Sequence, residues 1–234
     1  NNDNMEWAYF KNRQWTKNGL IAYQESHDEE RVFWETVNFG ATSPINLKSL
    51  ENAVNRNQLM TAFFLAIPGP KMIWQFGEFG YDLELNNDRL GIKPTRWEYL
   101  SNSDRLRLVQ LYKEMFKLRA KYPVFNFPSN ASLNLGSAQK TIHLQHPDLQ
   151  VFLFGNFDLV TQGNQSITFP KTGKWYNYFT GKELNVTSAQ VSFGLRPNEF
   201  YLFTDKPLPL PEKDILQADF ITSIPEEVDE EGFV

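Results

Sequence analysis

The hydrophobic pattern changes character near residue 125. Before it, short apolar runs alternate with stretches whose apolar residues recur at helical spacing; after it, only short runs separated by turn residues remain. Residues 19–24 (Gly-Leu-Ile-Ala-Tyr-Gln) are apolar and give way abruptly to Glu25-Ser26-His27-Asp28, which predicts a buried strand delivering polar groups from its C-terminal end. Ser43-Pro44 predicts a helix start, with Ser43 as N-cap and Pro44 in the first turn. Leu47, Leu50 and Val54 line one face of that helix, it becomes apolar nearly all round by Phe63-Phe64-Leu65, and Pro68-Gly69-Pro70 stops it. A second strand is expected over residues 71–76, again ending in glycine and polar residues at Gly77-Glu78. After a loop rich in Asn, Asp, Gly and Pro, Ser101 and Asp104 stand at capping-box spacing. Leu108, Leu111, Tyr112, Met115 and Leu118 then repeat as one helix face, closed by Pro123. Strand, helix, strand, helix, with polar groups at both strand C-termini, is the organisation of a β/α barrel.

The second region predicts strands over residues 140–145, 149–156, 165–169, 174–179, 190–193 and 199–204, with turns such as His146-Pro147-Asp148 and Thr180-Gly181-Lys182 between them. Regular short strands of this kind argue for an antiparallel sandwich. The expected fold class is therefore α/β plus all-β: part of a (β/α)8 TIM barrel over residues 1–125, then an antiparallel β-sandwich over 126–206. Residues 207–234, with Pro207, Pro209, Pro211 and an acidic end, read as a linker or tail.

Composition narrows the function. The 234 residues carry 23 basic and 28 acidic side chains, a net charge of −5, with no basic block, so a nucleic-acid partner is not expected. There is no cysteine, which removes disulfides, thiolate metal sites and cysteine nucleophiles together. No apolar run is long enough for a membrane helix, which needs about 18 residues. The opening Asn1-Asn2-Asp3-Asn4 is no signal peptide, and the compartment stays open among cytoplasm, periplasm and exterior.

Several side chains have a plain reading. Glu25, Glu29, Glu30 and Arg31 form a charge run of the kind usually solvated, with only Glu25 kept as a candidate for a site rim. Ser26-His27-Asp28 is not a hydrolase triad, because neighbours on a strand end point to opposite faces. His143 and His146 would diverge on a strand and turn rather than share a metal. Trp74, mid-strand, is expected to pack in a core, while Trp97 suits core packing and an exposed role about equally.

Four stretches, in order, resemble the α-amylase family of glycoside hydrolases. Tyr23-Gln24-Glu25-Ser26-His27-Asp28 resembles the family's fourth conserved region, although Ser26 stands where Asn is usual. Residues 67–78, Ile67 to Glu78, look like the eighth barrel strand, in which a Gly-x-Pro turn leads into an apolar strand ending Gly-x-Glu. Lys93-Pro94-Thr95-Arg96-Trp97, with Leu118-Arg119-Ala120-Lys121-Tyr122-Pro123, resembles the stretch closing the barrel, and residues 173–181 resemble a hairpin of the C-terminal β domain. The resemblance implies that the first region holds barrel strands 7 and 8 with their helices.

It also implies a chemistry. Retaining members of the family use a nucleophilic carboxylate and an acid/base carboxylate ~5–5.5 Å apart, and a third carboxylate that stabilises the transition state. Asp28 matches the third, and His27 the histidine that hydrogen-bonds sugar hydroxyls. Arg89 matches a sugar-contacting residue of the eighth-strand loop, and Trp97 is a candidate stacking residue. The nucleophile and acid/base belong to motifs N-terminal to everything here, so this chain alone is expected to be inactive. No metal or other cofactor is expected in it, the family's calcium site lying mostly upstream. The expected partners are an α-1,4-glucan of starch or glycogen type and either the N-terminal part of the enzyme or a second copy, since two strands cannot close a barrel. The alternative is a non-catalytic glucan-binding or structural module.

Overall fold

The computed structural model describes residues 4–85, 90–160, 163–212 and 215–216. The chain divides into two compact units, one spanning Trp7–Lys117 and one built from Leu118 onward together with the segment ending at Glu6.

The first unit is organised around three helices: α1 (Val32–Phe39), α2 (Leu50–Ala66) and α3 (Ser103–Lys121), whose last residues enter the second unit. α1, unforeseen by the periodicity because it is only 8 residues long, packs on α2. α2 is buried from Ala53 to Ala66 save for a few positions, as its all-round apolar second half demands. It begins at Leu50 rather than at Ser43-Pro44. The polar groups of Asn46 hold a turn ahead of it, its side-chain oxygen accepting from Lys48 N–H and its carbonyl from the Ser49 hydroxyl and the Asn52 amide. α3 starts one residue beyond the expected Ser101 capping box: Asn102 caps it, its side chain accepting the Arg105 N–H at 3.1 Å, while the Ser101 hydroxyl donates to Glu98 O.

The two expected barrel strands meet at one point. Ala22 and Lys71 form an isolated parallel bridge, in which Ala22 N–H donates to Pro70 O at 3.1 Å and Met72 N–H to Ala22 O at 3.0 Å. Neither segment extends into a regular strand among the described residues. Parallel pairing is nonetheless the correct sense for a β/α unit.

The second unit is antiparallel throughout. β1 (Asn130–Asn134), β2 (Gln139–His146), β3 (Leu149–Asn156), β5 (Gly173–Asn177), β6 (Glu183–Val186) and β8 (Phe200–Thr204) form a six-stranded sheet in the order β1-β2-β3-β8-β5-β6. β4 (Asn164–Thr168) pairs β7 (Gln190–Gly194) as a separate sheet. The two sheets bury one aromatic core: Phe152 and Phe154 from β3, Trp175 from β5, Phe193 from β7, Tyr201 and Phe203 from β8, with Phe169 after β4. Register places Phe154 opposite Tyr201 and Phe152 opposite Phe203, so the large rings of neighbouring strands share a face.

Candidate functional site

Every group singled out around residue 25 lies in the first unit, on the loop between the bridge at Ala22 and the start of α1. The charge run there is only partly solvated. Glu25 is buried and Arg31 has no exposed surface, contrary to the reading of both as members of a solvated loop. Glu25 Oε1 lies 3.2 Å from Arg31 Nη1, and its Oε2 accepts the Val32 N–H at 2.9 Å, so one carboxylate both pairs the arginine and caps the first turn of α1. Burial holds the Glu25 carboxyl above its ordinary range despite the arginine beside it. Gly77 makes room for that carboxylate: a Cβ there would stand 2.2 Å from Glu25 Oε1.

Between Glu25 and Arg31 the loop is tied internally. The Ser26 hydroxyl donates to Glu29 Oε2, which also accepts the Ser26 N–H at 3.1 Å, and the same hydroxyl accepts the Asp28 N–H at 3.1 Å. Ser26 thus serves the loop and is not a nucleophile poised on His27. The chain bends here instead of continuing as a strand, so strand alternation does not apply: His27 Nε2 comes within 3.4 Å of Asp28 Oδ1, with the two side chains 48% and 54% exposed. They are the solvent-facing polar pair of a loop whose ends are buried.

Trp74 supports this pair. Its ring centroid is 5.5 Å from that of His27, and the Arg31 guanidinium lies 5.9 Å from the same ring. Arg31 is also 5.0 Å from the Tyr81 ring. Trp74 is half-buried and carries a histidine on its ring, a different role from the core packing expected of it. Glu78 completes the cluster. Its carboxyl is raised by burial, with Arg31 acting in the opposite direction. Arg31 and Glu78 are the residues that sequence reasoning missed. Their usable signals were an arginine six positions after Glu25 and directly before the apolar Val32-Phe33-Trp34, and the Gly77-Glu78 end of an apolar run.

Trp97 opens a short 3-10 turn (Trp97–Ser101), is 62% exposed, and meets Phe76 edge-on at 5.1 Å. Phe76 itself takes a left-handed backbone, φ 64°, at the turn into Gly77. Behind it, Arg105 clasps this region to α3. It donates to the carbonyls of Phe79 and Gly80 and pairs Asp82 at 2.5 Å, while its guanidinium lies 3.9 Å from the Tyr99 ring. Tyr99 donates its hydroxyl to Asp82 and is pushed up to about 12 by burial and that carboxylate. Arg89 lies outside the described residues. Among the described residues, no group of three or more His, Asp or Glu side chains is placed to hold a metal ion, and no helix is long and apolar enough to cross a membrane.

Comparison with known proteins places the fold. No family model matches the sequence, and no curated protein matches it. Solved structures do. AmyP in complex with maltotriose superimposes with a TM-score of 0.61 at 16% identity, over 81% of this chain and 41% of that one. The Anoxybacillus alpha-amylase gives 0.56 at 16% identity, over 82% of this chain and 39% of its own. CldA, a cyclomaltodextrin glucanotransferase, gives 0.55 at 17% identity, over 85% and 39%. In fold, the chain is similar to the C-terminal part of these α-amylase-type structures. It spans about two-fifths of the length of these solved structures.

Proposed function

We propose that the chain is the C-terminal portion of an α-amylase-type glycoside hydrolase, the end of its (β/α)8 barrel followed by a β-sandwich, acting on α-1,4-glucans with retention. The observation that carries this reading is the half-exposed His27–Asp28 pair, set just beyond a parallel bridge and backed by Trp74. The C-terminal end of parallel strands is where barrel enzymes place their chemistry. AmyP, which shares the fold, is seen with maltose and with maltotriose.

In this mechanism Asp28 offers a carboxylate to the sugar ring bound at the scissile bond. It orients the ring hydroxyls and offsets the positive charge that develops as the glycosidic bond lengthens, an effect worth most where water is excluded. His27, 3.4 Å away, hydrogen-bonds the neighbouring hydroxyls. Trp97, and Arg89 beyond the described residues, contribute contacts to the flanking sugars. The attacking carboxylate and the acid that protonates the leaving oxygen come from residues outside this chain.

Asp28→Asn in the complete protein is the test. Hydrolysis of maltooligosaccharides should fall by several orders of magnitude, because the charge that answers the transition state is gone while the shape is kept. A variant within a few-fold of wild type favours the other reading, a glucan-binding module, for which the exposed Trp97 would be the contact. Starch cleavage by the 27.3 kDa chain alone would overturn the assignment of the missing carboxylates.

A further inference from the structure

Arg31 is an expensive way to hold a loop. Its side chain is fully buried, yet only Nη1 reaches Glu25; Nε and Nη2 have no hydrogen-bond partner among the described residues. Trp74 Nε1 and Glu78 Oε2, buried in the same cluster, are likewise without partners. A buried ion pair whose donors are only partly used is a poor source of stability, and a well-packed apolar side chain would serve better. A group kept in such a state does something other than stabilise.

What Arg31 touches says what that is. One arm of its contacts runs to Glu25, which begins the Ser26–Asp28 bend and caps α1 through Val32 N–H. The other runs to Trp74, on whose ring His27 lies. Tyr81 stands against the guanidinium as well. The arginine therefore fixes both the root of the bend and the surface against which its exposed pair rests.

We propose that Arg31 is the positioning residue for the His27–Asp28 pair, acting through Glu25 at the root of the loop and through Trp74 beneath the imidazole. This rests on the reading of His27 and Asp28 as sugar-contacting groups. A planar fork that pairs a carboxylate and lies against rings is required, which lysine cannot reproduce although it keeps the charge. Arg31→Lys therefore separates positioning from charge balance.

The experiment follows the His27 ring protons by NMR in the full chain, where only three histidines contribute. In wild type, the Trp74 ring current displaces the His27 signals, and Trp74→Leu gives the value without it. Arg31→Lys is expected to move His27 towards the Trp74→Leu position while His143 and His146 stay put. In the complete enzyme, the same variant should lose kcat by about 10²-fold with KM within about twofold, as for a small misplacement of a transition-state group. His27 signals unchanged in Arg31→Lys overturn the proposal, as does a moved His27 with unchanged kcat. If the wild type is inert on glucans, the functional reading falls, and the NMR result still decides whether Arg31 positions the pair. Should Arg31→Lys not fold, Trp74→Phe replaces it. Retention of the His27 displacement and of kcat in Trp74→Phe, with loss of both in Trp74→Leu, supports the relay, and equal loss in the two variants refutes it.

Discussion

At the scale of single residues, burial outweighs charge pairing around Arg31. Glu78 shows the balance: desolvation lifts its carboxyl above the ordinary value of 4.5, and the nearby arginine does not restore it. A carboxyl raised in the folded state binds its proton more tightly there than in the unfolded chain. The stability it contributes is therefore complete below 4.5 and is lost as pH rises through the raised value. Glu78→Gln removes that loss. Thermal melts should show the variant gaining on wild type at about pH 7 and the gain shrinking towards about pH 4; an equal change at both would show that the charge is not what matters. The same residues mark the limit of reading the site from sequence. By themselves His27 and Asp28 read as a solvated loop, and they stood out only because four stretches in order resemble one family. Arg31 did not, since an arginine after two glutamates looks solvated until the fold buries it.

At the scale of elements, legibility followed the number of alternating positions available. β3 was foreseen to the residue and the ends of β2, β4 and β7 to within one, because β2 and β7 alternate buried and less buried positions and β3 is an almost continuous buried run bounded by turns. β1 and β6 were missed: both are edge strands of the six-stranded sheet, and β1 is largely exposed. α1 was missed for another reason. Its start is set by the Glu25 carboxylate arriving from seven residues upstream of Val32, not by a local cap. That dependence makes Gly77 critical to an element it does not belong to. In Gly77→Ala the new methyl would press on Glu25 Oε1 at 2.2 Å, pushing the carboxylate away from both Arg31 and the α1 N-terminus. Leaving the arginine buried and uncompensated should cost about 3 kcal/mol in equilibrium unfolding. A loss under about 0.5 kcal/mol, the usual size for an indifferent site, would mean that the carboxylate shifts freely and caps nothing.

At the scale of the whole molecule, the two kinds of unit differ in what they draw on. The segments around Ala22 and Lys71 meet in one parallel bridge, and parallel strands are covered on both faces, so these segments were legible only as apolar runs. The sandwich carries its own core, and its centre is Phe154. That ring is fully buried, stacks on Phe203 at 6.0 Å and Tyr201 at 5.3 Å, and meets Phe193 edge-on at 5.1 Å from the opposite sheet. Phe154→Ala should therefore loosen both sheets together, at ~3–5 kcal/mol for a large aromatic removed from a closed core. Amide exchange in β3, β7 and β8 would accelerate by about 10²-fold or more, since their slowest amides report opening of the whole unit. Phe127, 73% exposed in the same unit, supplies the comparison: its replacement by alanine should change those rates by less than about threefold. If β3 and β8 exchange faster in Phe154→Ala while β7 keeps its wild-type rates, the two sheets do not share a cooperative core. The sandwich would then be two separately stabilised layers.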